Sequence, residues 1–153
     1  MAEGHCIDDE FFTYQVVMNS SRVVLTDVPL YCYRIRASSV MQNVGQQKER
    51  VMMDRLEYLT ARYQAIAERM PELEPVFFRD ILDSMTRYWI HSKNMPRAQK
   101  EIRRWAKAHR GKLLSMKAPL RYKLGYWHRL FLKKPSVEGE PGFIWVHSEE
   151  AYD

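Results

Sequence analysis

The sequence lacks the long apolar run that a membrane-spanning helix requires. No stretch approaches roughly 18 uninterrupted apolar residues, and no basic segment followed by an apolar one begins the chain, so neither a membrane span nor a signal peptide is expected. Cysteine is also scarce, because Cys6 and Cys32 are the only two. Two cysteines do not form a disulfide framework, which favours a reduced pair in a cytoplasmic protein.

Features that bind phosphate or metal are missing as well. The chain has 6 glycines, and no glycine-rich loop or Asp-x-Asp motif occurs among them or elsewhere. Strands and helices do not alternate, so no nucleotide-binding α/β half is expected in this sequence. His5 adjoins Cys6 without a second ligand pair, and no metal site is expected. In contrast, an apolar content of 46% in 153 residues supports a domain with a hydrophobic core.

Acidic residues are almost absent from residues 97–134. This stretch holds thirteen Lys or Arg residues and one acid, Glu101. The overall charge of +5 and the pI of about 9.2 therefore arise from one region, while the rest of the chain is net acidic.

The N-terminal part predicts one helix and two short strands. Asp8 and Asp9 favour a helix over residues 9–19, since carboxylates accept hydrogen bonds from free amides and stabilise the positive end of the helix dipole. Enrichment in β-branched and aromatic residues predicts strands at residues 22–26 and 30–35. The polar residues 37–46 predict a loop.

The apolar period then changes to that of amphipathic helices. Apolar residues recur at spacings of four and three in the first of these, at Met52, Leu56, Leu59, Tyr63, Ile66 and Met70. Pro71 ends this helix, and Pro75 suits the first turn of the next, which continues to about residue 92.

Two further helices are predicted in the basic region. Asn94 and Pro96 begin the first of them, and Gly111 ends it in the usual C-terminal position. Pro119 begins the second, which continues to about Lys133. Residues 135–142 are rich in Pro and Gly and predict a linker.

Two motifs in the first 41 residues carry a family resemblance. The first is Asp8-Asp9-Glu10-Phe11-Phe12-Thr13-Tyr14, and the second is Pro29-Leu30-Tyr31-Cys32-Tyr33-Arg34-Ile35-Arg36-Ala37-Ser38-Ser39-Val40-Met41. In order and spacing they resemble Glu-Asp-Glu-Phe-Phe and Pro-Leu-Tyr-Tyr-Tyr-Arg-x-Arg-x-x-Ser-Ile-Met in the C-terminal part of the catalytic domain of family 2 glycosyltransferases. The resemblance implies transfer of a sugar from a nucleotide-sugar donor to a glycan or lipid-linked acceptor, as in surface polysaccharide synthesis.

The resemblance also implies roles for individual residues. Asp9 matches the family's general base, and Asp8 matches the preceding acid, where the family has the longer Glu. Arg36, with Arg34 and Ser39, is implied near the diphosphate leaving group. Many relatives have a metal-ligating His in place of Arg36, but a guanidinium does not ligate metals and instead suits direct phosphate contact. The alternatives are that Asp8 and Asp9 only cap a helix and that Arg34 forms an ordinary ion pair.

The expected fold class is mainly α with a short N-terminal β element. By resemblance, residues 1–45 form the C-terminal segment of the catalytic domain of an α/β glycosyltransferase fold, residues 46–134 a helical extension, and residues 135–153 a linker and acidic tail. The nucleotide-binding half and its divalent metal, Mg or Mn, would belong to the full-length enzyme, so this chain is expected to be inactive alone and to hold no cofactor.

The basic region mixes cations with Trp and Tyr. The cations singled out are Arg103, Arg104, Lys107, Arg121, Lys123 and Arg129. Such a composition suits an anionic membrane surface, nucleic-acid phosphates, or a solvated basic face over an ordinary core. Lipid-linked acceptors favour the membrane over nucleic acid, and would place the protein in the cytoplasm at the inner face of the membrane. The alternative to an enzyme is a non-enzymatic basic helical module, and a homodimer would cover exposed apolar surface.

Overall fold

A computed structural model describes residues 8–29 and 48–139 of the chain. These residues form six α-helices, which are α1 (Asp8–Asn19), α2 (Lys48–Arg69), α3 (Glu74–His91), α4 (Pro96–Ala108), α5 (Arg110–Ser115) and α6 (Leu120–Trp127). A π-helical turn, His128–Leu132, continues α6. No strand occurs within the two described ranges. The mainly helical class is confirmed, but these residues contain no β element and do not support the α/β glycosyltransferase fold.

The segment after α1 differs from the prediction. Residues 22–26, predicted as a strand, are neither helical nor paired with another strand, and Leu25 is 92% exposed. The prediction was wrong because β-branched residues favour an extended backbone, whereas a strand also requires a hydrogen-bonded neighbour and a buried face. The strand predicted at residues 30–35 lies outside the described residues.

Helices α2 and α3 form the central hairpin. Their contact buries the residues that recur at helical spacing, among them Met52, Leu56, Phe78 and Met85, each at most 2% exposed. The two helices are connected by a short turn, in which Leu73 N–H donates to the Met70 carbonyl at 2.9 Å. Proline at the second position of α3 needs no intrahelical hydrogen-bond partner there. The predicted boundaries at Pro71 and Pro75 are confirmed.

Helix α4 is capped by another helix. The Glu49 carboxylate, in the first turn of α2, accepts hydrogen bonds from the backbone N–H groups of Arg97 (2.7 Å) and Ala98 (3.4 Å). Asn94, predicted to begin this helix, instead has a positive φ of 65° and donates from its side chain to Glu138. The free amides at the start of α4 are thus satisfied by a residue distant in the sequence.

The C-terminal end of α4 also differs from the prediction. The helix ends at Ala108, one residue before His109, and Gly111 lies inside the next helix, α5. His109 N–H donates to the Trp105 carbonyl at 3.1 Å, and the His109 ring stacks on Trp105 with centroids 4.2 Å apart. Gly111 is helical, so its assignment as the residue that ends the helix was wrong.

An aromatic cluster joins α2, α3 and α4. The rings of Tyr63, Phe78, Trp105 and His109 lie within 6.5 Å of one another, centroid to centroid. Edge-to-face and stacked pairs of this kind add to the free energy of burial. The cluster holds α4 against the α2–α3 hairpin.

Residues 133–139, which include the start of the linker predicted from residue 135, are bound to the end of α3. Ser136 and Val137 donate backbone N–H groups to the Ile90 carbonyl at 3.0 and 2.9 Å, and Lys93 N–H donates to the Val137 carbonyl at 3.0 Å. The Trp89 indole donates to the Lys133 carbonyl at 2.8 Å. Residues 133–139, the closing stretch, therefore lie against the helical unit.

Candidate functional site

The predicted catalytic carboxylates stand at the beginning of α1. Asp8 is the first helical residue and Asp9 the second, where the helix dipole favours the ionised form of a carboxylate. The side chains of both residues lie outside what the structure describes, as do Arg34, Arg36 and Ser39 in full. The roles of all five residues therefore stay predictions.

Helix α1 is attached to α2 through aromatic side chains. Phe11 and Tyr14 each form a T-shaped pair with the Tyr58 ring, with centroids 5.7 and 5.9 Å away. At the other end of α1, Arg69 donates to the Asn19 side-chain oxygen at 3.0 Å. These contacts fix the helix that begins with the two carboxylates.

The Tyr58 ring is in turn supported from α2 and α3. Arg62 donates to the Tyr58 hydroxyl at 3.1 Å and forms an ion pair with Asp80 at 2.5 Å. Burial raises the pKa of Tyr58, and the Arg62 charge opposes that shift without cancelling it. The hydroxyl therefore stays neutral and serves as an acceptor for Arg62.

Three of the six predicted cations line one depression along α4. Its volume is about 560 Å³, and it is lined by Met53, Arg97, Lys100, Glu101, Arg103, Arg104 and Lys107. Two of its guanidinium groups are already engaged. Arg103 lies 4.6 Å from the centroid of the Trp89 ring, and Arg104 pairs with Glu101 at 2.5 Å.

The other predicted cations do not share a single surface. Arg121 and Arg129 line a second groove, of about 500 Å³, between α3 and α6. Lys123 points elsewhere, since its ammonium donates to the Leu114 carbonyl at 2.8 Å and so ties α6 to α5. The six cations therefore divide into two sites and one structural contact.

Arg79 of α3 is a third guanidinium in the groove, which sequence reasoning missed. It lies outside the basic stretch 97–134 and was therefore not counted with it. A signal was present, because Phe78, Ile81, Leu82 and Met85 define the buried face of α3. Arg79 and Asp83, one turn apart, share the neighbouring side of that helix.

A hydrogen-bonded tyrosine, Tyr126, is among the residues that line the groove. The Tyr126 hydroxyl donates to Asp83 Oδ1 at 2.7 Å. Burial first, and then this hydrogen bond to a carboxylate, raise the pKa of Tyr126 to about 12. The phenol is neutral at physiological pH, so the groove combines three guanidinium charges with the one carboxylate of Asp83.

An ion pair between Glu74 and Lys112 borders the aromatic cluster. The Glu74 carboxylate accepts hydrogen bonds from both Lys112 and the Tyr63 hydroxyl. Burial alone would raise the pKa of Glu74, but these two donors outweigh it and lower the pKa. The pKa of Lys112 is raised, because its pairing with Glu74 outweighs the opposite effect of burial. This pair is a structural contact between α3 and α5.

The described ranges contain neither a metal-binding cluster nor a membrane-spanning helix. No group of three His, Cys, Asp or Glu side chains there is placed to hold a metal ion. None of the helices in those ranges is both long enough and apolar enough to span a bilayer.

Compared with known protein families, with curated proteins and with solved structures, the chain gives no significant match.

Proposed function

We propose that this chain is the C-terminal portion of a family 2 glycosyltransferase catalytic domain with a helical extension. The observation that carries the proposal is the ordered pair of motifs at residues 8–14 and 29–41. The described residues do not support an α/β glycosyltransferase fold, but the first motif begins a helix at Asp8 and its aromatic residues Phe11 and Tyr14 attach that helix to the extension. The full-length enzyme would transfer a sugar from a nucleotide-sugar to a glycan or lipid-linked acceptor.

The proposed step is an inverting displacement. The acceptor hydroxyl oxygen bonds to the anomeric carbon, its proton passes to the Asp9 carboxylate, and the bond to the diphosphate oxygen breaks. Asp8 supports Asp9, and the position of both in the first turn of α1 favours their ionised forms. Arg36, with Arg34 and Ser39, binds the diphosphate as it leaves with its electron pair. In the family the divalent metal is held by an Asp-x-Asp motif, which this sequence does not contain.

The first experiment is to sequence the genomic DNA directly upstream of the Met1 codon. An in-frame segment that encodes alternating strands and helices with an Asp-x-Asp motif is expected. A stop codon directly upstream, with no companion reading frame nearby, would contradict the proposal.

The second experiment measures nucleoside diphosphate release by the full-length product. Asp9→Asn is expected to lower kcat by about 10²- to 10⁴-fold, the usual contribution of a general base. Asp8→Glu, which introduces the acid of the family motif, should retain activity. The control Glu72→Gln removes an exposed carboxylate far along the chain and should change nothing. Wild-type turnover by Asp9→Asn would refute the assignment of the base.

A second candidate function is binding to an anionic surface, with or without catalysis. It is favoured by the cations that line the α4 depression and the α3–α6 groove. A membrane surface suits it better than nucleic acid, because α6 also exposes leucines. Co-sedimentation with vesicles, compared with a gel shift on nucleic acid, separates the two partners. Strong, salt-dependent nucleic-acid binding without vesicle binding would reverse the preference.

A further inference from the structure

We propose that the groove between α3 and α6 binds the phosphate of an anionic glycerophospholipid, and that the exposed leucines of α6 enter the bilayer beside it. The inference deepens the membrane-binding candidate and rests on it. It does not depend on sugar transfer, since every test below measures binding without turnover.

The charges of the groove are available to a ligand. Arg79 comes from α3, Arg121 from α6 and Arg129 from the π-helical turn. Within the described part of the chain none of these three guanidinium groups forms an ion pair. Arg121 lies 5.1 Å from the centroid of the neighbouring Tyr122 ring, which leaves its donors open. The one carboxylate of the groove, Asp83, already accepts from Tyr126.

The donor set suits a phosphate group. Each guanidinium offers a planar fork that donates two parallel charge-assisted hydrogen bonds to phosphate oxygens. Three such forks around a space of about 500 Å³ leave room for a phosphate together with the glycerol that carries it. The phenol of Tyr126, which also lines the groove, is neutral and adds no negative charge that would repel the ligand, so Asp83 remains the one carboxylate there.

The neighbouring surface indicates a lipid as the source of that phosphate. Leu120 and Leu124 are 69% and 57% exposed and lie one turn apart on α6. At 100° per residue they fall on the outward side of the helix next to Arg121. Leu132, in the π-helical turn, is 68% exposed. Apolar side chains next to cations are typical of a helix at a membrane interface.

The depression along α4 is a weaker candidate for the same ligand. Its Arg104 is occupied by an ion pair with Glu101, whereas no guanidinium group of the α3–α6 groove forms an ion pair within the described residues. Met53 is its one apolar lining residue and is only half-buried. The α4 cations therefore provide a control with the same charge but without the proposed geometry.

The main experiment is flotation of the full chain with phosphatidylcholine vesicles, with and without phosphatidic acid. Wild type is expected to bind only the anionic vesicles. The triple variant Arg79→Gln/Arg121→Gln/Arg129→Gln should lose at least about tenfold in affinity. The matched triple Arg97→Gln/Lys100→Gln/Lys107→Gln removes the same charge from α4 and should lose clearly less. Circular dichroism confirms that both variants remain helical.

A variant without any charge change tests the space itself. Gly125 lines the groove, and a Cβ atom added there meets no atom within 4 Å. Gly125→Gln should therefore fill the groove, keep the fold and weaken binding to phosphatidic acid vesicles. If it binds like wild type, or if the two triple variants lose equally, the binding is diffuse electrostatic attraction and the groove is refuted while membrane binding survives. If wild type does not bind anionic vesicles, the groove proposal and the membrane-binding candidate are both refuted.

A last comparison separates a lipid from a soluble phosphate ester. Leu120→Ser/Leu124→Ser should weaken vesicle binding and leave the groove charges unchanged. Glycerol 3-phosphate at concentrations that match the vesicle phosphate should not release the protein. Release by the soluble ester, together with normal vesicle binding by the serine variant, would overturn the lipid assignment.

Discussion

The ammonium group of Lys112 bonds the carboxylate of Glu74 directly above the rings of Tyr63 and Phe78. Its nitrogen lies 5.6 and 5.2 Å from the two ring centroids. The contact combines a charge-assisted hydrogen bond with two cation–π contacts. It connects the start of α3 to α5 and closes one side of the aromatic cluster.

Glu74→Gln should destabilise the protein at neutral pH and not in acid. Because the pairing lowers the folded-state pKa of Glu74 below 4.5, its contribution is complete above pH 4.5 and is lost as the pH falls through the folded value. At neutral pH we expect a loss of about 1.5–3 kcal/mol, the range for hydrogen bonds to charged groups. Urea denaturation across this pH range should show wild type and variant converging in acid. A constant difference, or an equal effect of the exposed control Glu72→Gln, would contradict the contact.

Tyr126→Phe should make the stability of the protein less sensitive to alkaline pH. The pKa of Tyr126 is raised from 10.0 to about 12, so its contribution is present below pH 10 and is lost as the pH rises through about 12. Wild type should therefore lose stability relative to the variant across this window, while near neutrality the variant lacks the hydrogen bond to Asp83 and is less stable by about 1 kcal/mol. Phenolate absorbance should show several tyrosines titrating above pH 10, because the pKa values of Tyr58 and Tyr63 are raised as well. That late fraction should shrink by one tyrosine in Tyr126→Phe and keep its size in the exposed control Tyr122→Phe.

Gly111→Ala should stabilise the protein by about 0.4–1 kcal/mol. Gly111 is helical and an added Cβ meets no atom within 4 Å, so alanine reduces only the entropy of the unfolded chain. Gly139 is the matched control, because its φ of 115° is one that residues with side chains rarely adopt, and Gly139→Ala should destabilise. Thermal unfolding measures both. A lower Tm for Gly111→Ala would mean that Gly111 ends a helix, as the sequence pattern predicted.

Tyr58→Leu should release α1 without unfolding the central hairpin. The substitution removes two aromatic contacts, to Phe11 and Tyr14, each worth about 0.5–1.5 kcal/mol. Hydrogen exchange of the α1 amides should accelerate by about tenfold or more, and that of the α2–α3 core should change less. Arg62→Gln removes the hydroxyl partner but keeps the ring, so α1 should exchange as in wild type. Equal acceleration in both variants would show that the Arg62 ion pair holds α1.

The helices could be predicted because their determinants are local. Apolar spacing located α2 and α3, and Pro71 and Pro75 marked the boundary between them. The cap of α4 could not be predicted in this way, since its acceptor, Glu49, lies about fifty residues earlier in the chain. The helix break lies at His109, whose ring stacks on Trp105. Local sequence signals favoured Gly111 as the end of the helix, because glycine is common at that position.

The candidate sites were predicted only in part. The basic stretch was visible as a count of cations, but that count cannot tell that Lys123 bonds a carbonyl or that Arg103 lies over Trp89. Arg79 joins Arg121 and Arg129 only because α3 packs beside α6. The catalytic assignment to Asp9 depends on the order of the two motifs in the sequence. The helix that begins at Asp8 does not test this assignment.

The ion pair between Lys48 and Glu138, at 3.6 Å, has a consequence for how the helical unit is joined to other structure. The first residue of α2 and the end of the closing stretch lie side by side, so the chain enters and leaves this unit at one place. A unit with adjacent ends can be inserted into a surface loop of a host protein, or circularly permuted, without separating its helices. We therefore expect the bundle from Lys48 to Gly139 to tolerate such a rearrangement, in which both cationic sites would move with it.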